Sequence, residues 1–153
     1  MKHPQGEPQR SSRLLIAAAV YFGIVFGVGF VLGSVRVPCL VPRLGERIAE
    51  LAEMPLMFMA IFLAAGYVVR KHGPSIAPVG WALAGALSLS MLVAAELLLA
   101  VALAGRGVGE YIASRDPVSG SVYLIMLVVF SAMPWLRRRY SNSHSATPPH
   151  GAS

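Results

Sequence analysis

Residues 14–35 run for 22 residues without a charged side chain. Three further apolar runs follow: residues 51–69, which contain Glu53, residues 80–104, which contain Glu96, and residues 118–136, which contain no charge. A helix crossing the hydrocarbon core of a bilayer needs about 20 residues. Backbone polar groups in that medium must be satisfied internally, which leaves helices as the form open to runs of this kind. The second run is the shortest, because its charge-free part covers only residues 54–69.

Composition agrees. The chain has 153 residues, of which 56% are hydrophobic and 13% charged, against about 25% charged in an average globular protein. In water, so much apolar surface would be exposed and would aggregate. The expected fold is an all-α integral membrane four-helix bundle. Its domain occupies residues 14–136, between tails at 1–13 and 137–153 whose Pro, Ser and Gln content reads as disordered. The first run is too long for the apolar part of a signal peptide, and no small-residue cleavage site follows it, so it reads as a retained helix.

Basic residues set the expected orientation. Lys2, Arg10, Arg13, Arg70, Lys71, Arg137, Arg138 and Arg139 fall on one side of a four-span chain, and Arg36, Arg43, Arg47, Arg106 and Arg115 on the other. The second side also carries Glu46, Glu50, Glu53, Glu110 and Asp116. The positive-inside rule places both termini in the cytoplasm, which makes this a multi-pass protein of a bacterial cytoplasmic membrane. The net charge of +6 suits anionic lipid headgroups on that face. It suits nucleic acid poorly, because no folded basic surface remains to present it. Trp81 and Trp135 lie where interfacial anchors are expected.

Helix rise locates the buried charges. At about 1.5 Å per residue, Glu53 and Glu96 both stand about 24 Å above the cytoplasmic ends of their spans, and Tyr123 lies about 9 Å below the outer end of its own. These groups share a level in the outer half of the membrane. Arg36 caps the first run and Arg115 precedes the fourth. A charge at the centre of a spanning helix costs about 2.5–3.5 kcal/mol on insertion scales. The two glutamates are therefore expected either to pair with Arg36 and Arg115 or to include a protonated member, with Tyr123 donating a hydrogen bond to an ionised one. Pairing that only fixes helix register is the plainer account. A working ion or proton site is the sharper one. Ahead of Glu53, Arg43/Glu46 and Arg47/Glu50 are spaced to pair along an outward helix that begins near Pro42. Glu46, Glu50, Glu53 and Met57 share one face of that helix, directed at the bundle. Pro55 interrupts the backbone ladder and introduces a kink.

Other signals are weaker. Gly23/Gly27 and Gly29/Gly33 form two G-x-x-x-G pairs, which let helices approach closely. They leave open packing within the bundle or against a second copy. Asp116 before Pro117 reads as a helix N-cap followed by proline at the first helical position, and residues 105–113 as a short interfacial helix. Cys39 is the one cysteine, and His3, His72, His144 and His150 show no metal-ligand spacing. Met54, Met57 and Met59 read as core packing rather than soft metal ligands. Nothing calls for a metal or a cofactor. No nucleophile elbow, zinc helix, phosphate loop or dinucleotide fingerprint is present, which argues against an enzyme without closing that class.

With Arg36, the stretches LVPRLGERIAELAEMP at residues 40–55 and ASRDPVSG at residues 113–120 resemble an uncharacterised family of small four-helix bacterial inner-membrane proteins. The resemblance covers residues 14–136. It implies the same topology and marks Arg36, Arg43, Glu46, Glu50, Glu53, Pro55, Glu96, Arg115 and Asp116, and it implies no activity. Two functions remain in view: a non-enzymatic membrane subunit or scaffold whose charged outward face docks a partner, and a small ion- or proton-coupled transporter, working as an oligomer, that uses Glu96 and Glu53.

Overall fold

A computed structural model describes residues 7–73, 76–104 and 117–143. The chain is all-helical, with no strand among the described residues. Helix α1 spans Glu7–Val35, a π-helical turn Arg36–Leu40, α2 Val41–His72, α3 Pro78–Ala104 and α4 Pro117–Ser143. Three helical stretches are long and apolar enough to cross a membrane, namely Ser11–His72, Pro78–Leu99 and Pro117–Ser141. The first contains both α1 and α2, which fold back on each other. Gly29 faces Met57, and Arg36 meets Glu50 and Glu53. Helical hydrogen bonding also continues beyond the apolar runs, into residues 7–13 of α1 and past Arg137 in α4, because each bond needs only residues four apart. The expected tails therefore begin as helix.

The reversal between α1 and α2 is built locally. Val35 hands over to the π turn without a side-chain cap, and α2 starts with proline in its first turn. Gly45 then takes φ 76° and ψ 162°, a region open to glycine and strained for a residue with a Cβ. The break in α2 sits there rather than at Pro55, which lies inside the helix.

Contacts fix the remaining order. Leu14 lies against Gly80, and Ser88 Oγ lies 2.9 Å from the Ala18 carbonyl oxygen, so α3 runs with α1. A Cβ on Gly85 would overlap the Ser131 carbonyl oxygen, and Tyr123 meets Glu96, so α4 runs against α3. Arg137 lies over Gly66 and places the end of α4 beside α2. One end of the molecule thus gathers Arg70, Lys71, Arg137, Arg138 and Arg139, while the other gathers Arg36, Glu50, Glu53 and Glu96.

Small residues fill the middle. Ala17, Ala18, Ala64, Ala65, Ala84 and Ser88 are all buried, and close backbone approach supplies the packing. Many large apolar side chains lie outside, with Leu98 71% and Val128 66% exposed, while Tyr21, Val25, Trp81 and Phe130 are buried among the small residues. The close approach uses Gly85 rather than the glycines of α1. Gly29 touches Met57, but Gly23, Gly27 and Gly33 face open space, because the face of α1 turned inward carries Ala17, Ala18, Tyr21 and Val25. Trp81 is 1% exposed, so it is a core residue rather than an interfacial anchor. Trp135 is half-buried.

Pro134 lies inside α4 and is buried. Its missing N–H deprives the Phe130 carbonyl, four residues earlier, of its helical donor. Tyr21 of α1 supplies a replacement. Its hydroxyl donates to the Phe130 oxygen at 2.8 Å, and its ring stacks on Phe130 with centroids 4.6 Å apart. Tyr21→Phe should destabilise the detergent-solubilised protein by about 1–3 kcal/mol, the cost of orphaning a buried acceptor. In a Pro134→Ala background the same change should cost less, because the substitution restores a backbone N–H at that position. Thermal unfolding of the four species checks the cycle, and equal costs in both backgrounds would refute the coupling.

Candidate functional site

The helix run that carries Glu50 and Glu53 descends from Gly45 with both carboxylates on the side of α1. Arg36, in the first residue of the π turn, reaches both. Its Nη1 lies 3.1 Å from Glu50 Oε1 and its Nε 3.2 Å from Glu53 Oε2. The second approach lies off the hydrogen-bond direction, and Glu53 Oε2 is buried without a hydrogen-bond donor, so that contact is an ion pair held by charge alone. Glu50 is 7% exposed.

On the facing helices, Tyr123 of α4 donates its hydroxyl to Glu96 Oε2 of α3. Between the two groups opens a cavity of about 370 Å³, whose lining includes Arg36, Glu50, Glu53, Glu96 and Tyr123. The rest of the wall is apolar or aromatic, with Phe26, Phe30 and Phe130 prominent. Among the described residues the lining holds three carboxylates and one guanidinium. Its volume falls within the range of about 300–1,000 Å³ common to small-molecule pockets. Among the described residues no group of three or more His, Cys, Asp or Glu side chains has metal-binding geometry. The arrangement suits uptake of a proton or cation, because neutralising neighbouring like charges beside a largely apolar wall is favourable.

The structure thus brings together Arg36, Glu53, Glu96 and Tyr123 in the lining of one cavity. Arg115 lies outside the described residues, as do Asp116 and residues 105–113. Two expectations change on the outward helix. Glu50 pairs with Arg36 of the neighbouring element and joins the cavity. Arg43 and Glu46 do not pair with each other, because the non-helical Gly45 lies between them and breaks their register. Arg43, Glu46 and Arg47 are exposed, so the acidic stripe directed inward begins at Glu50 and not at Glu46. Glu50 was visible in the sequence as a neighbour of Glu53 on one helix face. The aromatic wall carried no signal, since Phe is equally at home against lipid.

Scanned against protein-family models, curated proteins and solved structures, the chain matches none of them.

Arg36→Gln leaves two carboxylates facing each other and should cost about 3 kcal/mol, the low end for a broken buried pair, because the Arg36 side chain is 24% exposed. Adding Glu50→Gln and Glu53→Gln should recover most of that loss. Unfolding midpoints in detergent report both effects, and a triple variant no more stable than Arg36→Gln would count against the pairing.

Proposed function

We propose that this chain is a four-helix integral protein of a bacterial cytoplasmic membrane, with both termini cytoplasmic, and that its outer-half cavity serves proton- or cation-coupled transport of a small solute. The single observation that carries the reading is the cavity whose described lining brings Glu50, Glu53, Glu96, Arg36 and Tyr123 together within a largely apolar wall. A strut that only fixes helix register needs no cavity beside it. Here the paired charges border one, and Glu53 Oε2 still lacks a hydrogen-bond donor. Ionisable groups at membrane depth mark ion and proton pathways by preference. The exposed Leu98 and Val128 support the membrane setting, as does the separation of basic residues from the acidic cavity. The resemblance to small four-helix bacterial membrane proteins belongs to the same proposal. Four helices leave a short path, and assembly of several copies would lengthen it.

One observation favours a second reading, the membrane subunit or scaffold. Arg43, Leu44, Glu46, Arg47 and Ile48 form an exposed mixed-charge, apolar segment at the acidic end, which suits docking of another membrane protein.

Glu96→Gln separates the two. The substitution is nearly isosteric and keeps a partner for Tyr123, so stability should stay within about 1 kcal/mol of the parent. In reconstituted vesicles under an imposed proton or sodium gradient, the parent should dissipate the gradient and the variant should not. A folded variant with parental flux would sink the transport reading. Recovery of one membrane partner at fixed stoichiometry, with no flux from the parent, would favour the scaffold.

A further inference from the structure

All four helices contribute to the wall of the acidic cavity, with Phe30 of α1, Met57 of α2, Leu99 of α3 and Phe130 of α4 among its lining residues. We propose that the solute bound there is a small organic ammonium ion with an apolar or aromatic body. This solute class rests on the transport reading of the same cavity and names what it carries.

Two kinds of surface meet in the lining. On the polar side, Arg36 pairs with Glu50 and Glu53, and Tyr123 donates to Glu96. A carboxylate offers about four acceptor sites, so a bond from Tyr123 and a contact with a cation are compatible at Glu96. On the other side stand Phe26, Phe30 and Phe130. The centroids of Phe26 and Phe30 lie 6.4 Å apart along α1, and the Tyr21 ring backs Phe130 at 4.6 Å. An aromatic face attracts a cation within about 6 Å of its centroid, and quaternary ammonium groups are recognised in this way. The rest of the wall favours an organic cation over an inorganic one. A metal ion gains no apolar contact from Leu92, Leu99 or Met126, whereas an organic cation buries its own hydrocarbon against them.

The room for such a body comes from α1. Gly29 and Gly33 both belong to the lining. The Met57 Cε lies 3.4 Å from where a Cβ on Gly29 would be, but a Cβ on Gly33 would meet no described atom within 4 Å. The open volume of about 370 Å³ stands at the lower end of the range of about 300–1,000 Å³ for small-molecule sites, which suits a one-ring ligand. Met57 and Met126 are flexible side chains that adapt to different shapes, so the site fits a class of cations of similar size.

Equilibrium dialysis of the full-length protein in neutral detergent against radiolabelled phenyltrimethylammonium tests this. The probe has a fixed charge, one ring and no N–H. One equivalent should bind per chain. Unlabelled probe should displace it, and sodium or the neutral isostere tert-butylbenzene at the same concentration should not. Glu96→Gln should weaken binding at least about tenfold, as removal of one partner of a close charge pair does. Phe26→Leu should weaken it about fivefold, the scale of one cation–π contact. Gly33→Leu should fill the space and weaken binding at least about tenfold. The same change at Gly27, which is exposed and outside the lining, should leave affinity unchanged. This glycine pair decides the matter even where Glu96→Gln does not fold. Displacement by phosphatidylethanolamine as effective as by the probe would support the ammonium site and assign it a lipid headgroup. Equal displacement by sodium or by tert-butylbenzene, or equal affinity of the two glycine variants, would overturn it. Binding without any flux in vesicles would support the ammonium site and sink the transport reading. Dissipation of the gradient by a parent that binds no probe would do the reverse.

Discussion

Arg36 extends from the end of α1 to Glu50 and Glu53 on α2, and the position of the acidic cavity follows from that reach. Removing two carboxylates from water is costly without a compensating cation. A guanidinium with several donors in a fixed fork can serve both. The pairing ties the two helices together just below the reversal at Gly45 and turns Glu50 and Glu53 inward. With Glu96 and Tyr123 across from them, a space forms that is polar at one side and aromatic elsewhere.

The interior below that space interleaves alanine, serine and glycine with Tyr21, Trp81 and Phe130, while many large apolar side chains, Leu98 and Val128 among them, lie outside. In water, so many exposed large apolar groups would be unfavourable, since burying them is a soluble protein's main source of stability. Where the surroundings are themselves apolar, that gain disappears, and close backbone contact with interhelical hydrogen bonds takes over. Gly85 against Ser131, Ser88 with Ala18 and Tyr21 with Phe130 are contacts of that type.

The helical class and the approximate extent of the elements were legible in the sequence, because uncharged runs of spanning length admit few alternatives. The grouping of Glu53, Glu96 and Tyr123, which line one cavity, could be approached from the sequence, since height along a helix follows residue count. Rotation about each helix axis was not. Lipid-facing and interior positions are both apolar here, so hydrophobic periodicity distinguishes them poorly. For that reason the glycines of α1 suggested packing that Gly85 performs, Trp81 looked interfacial but is buried, and Glu50 looked like a partner for Arg47 although it meets Arg36. The break at Gly45 left only a faint trace, one glycine in a charged stretch otherwise suited to helix.

The bond from Tyr21 to the Phe130 carbonyl carries an implication for how such a chain can diverge. Proline at 134 is tolerable because a hydroxyl from another helix, 109 residues distant from Phe130 in sequence, stands in for the lost amide. That hydroxyl has its present use only while the proline remains. Positions 21 and 134 therefore form a unit of inheritance. In a lineage descended from this chain, drift at either site shifts which substitutions are permitted at the other, although the two side chains belong to different helices and the shared acceptor is an atom that no codon changes.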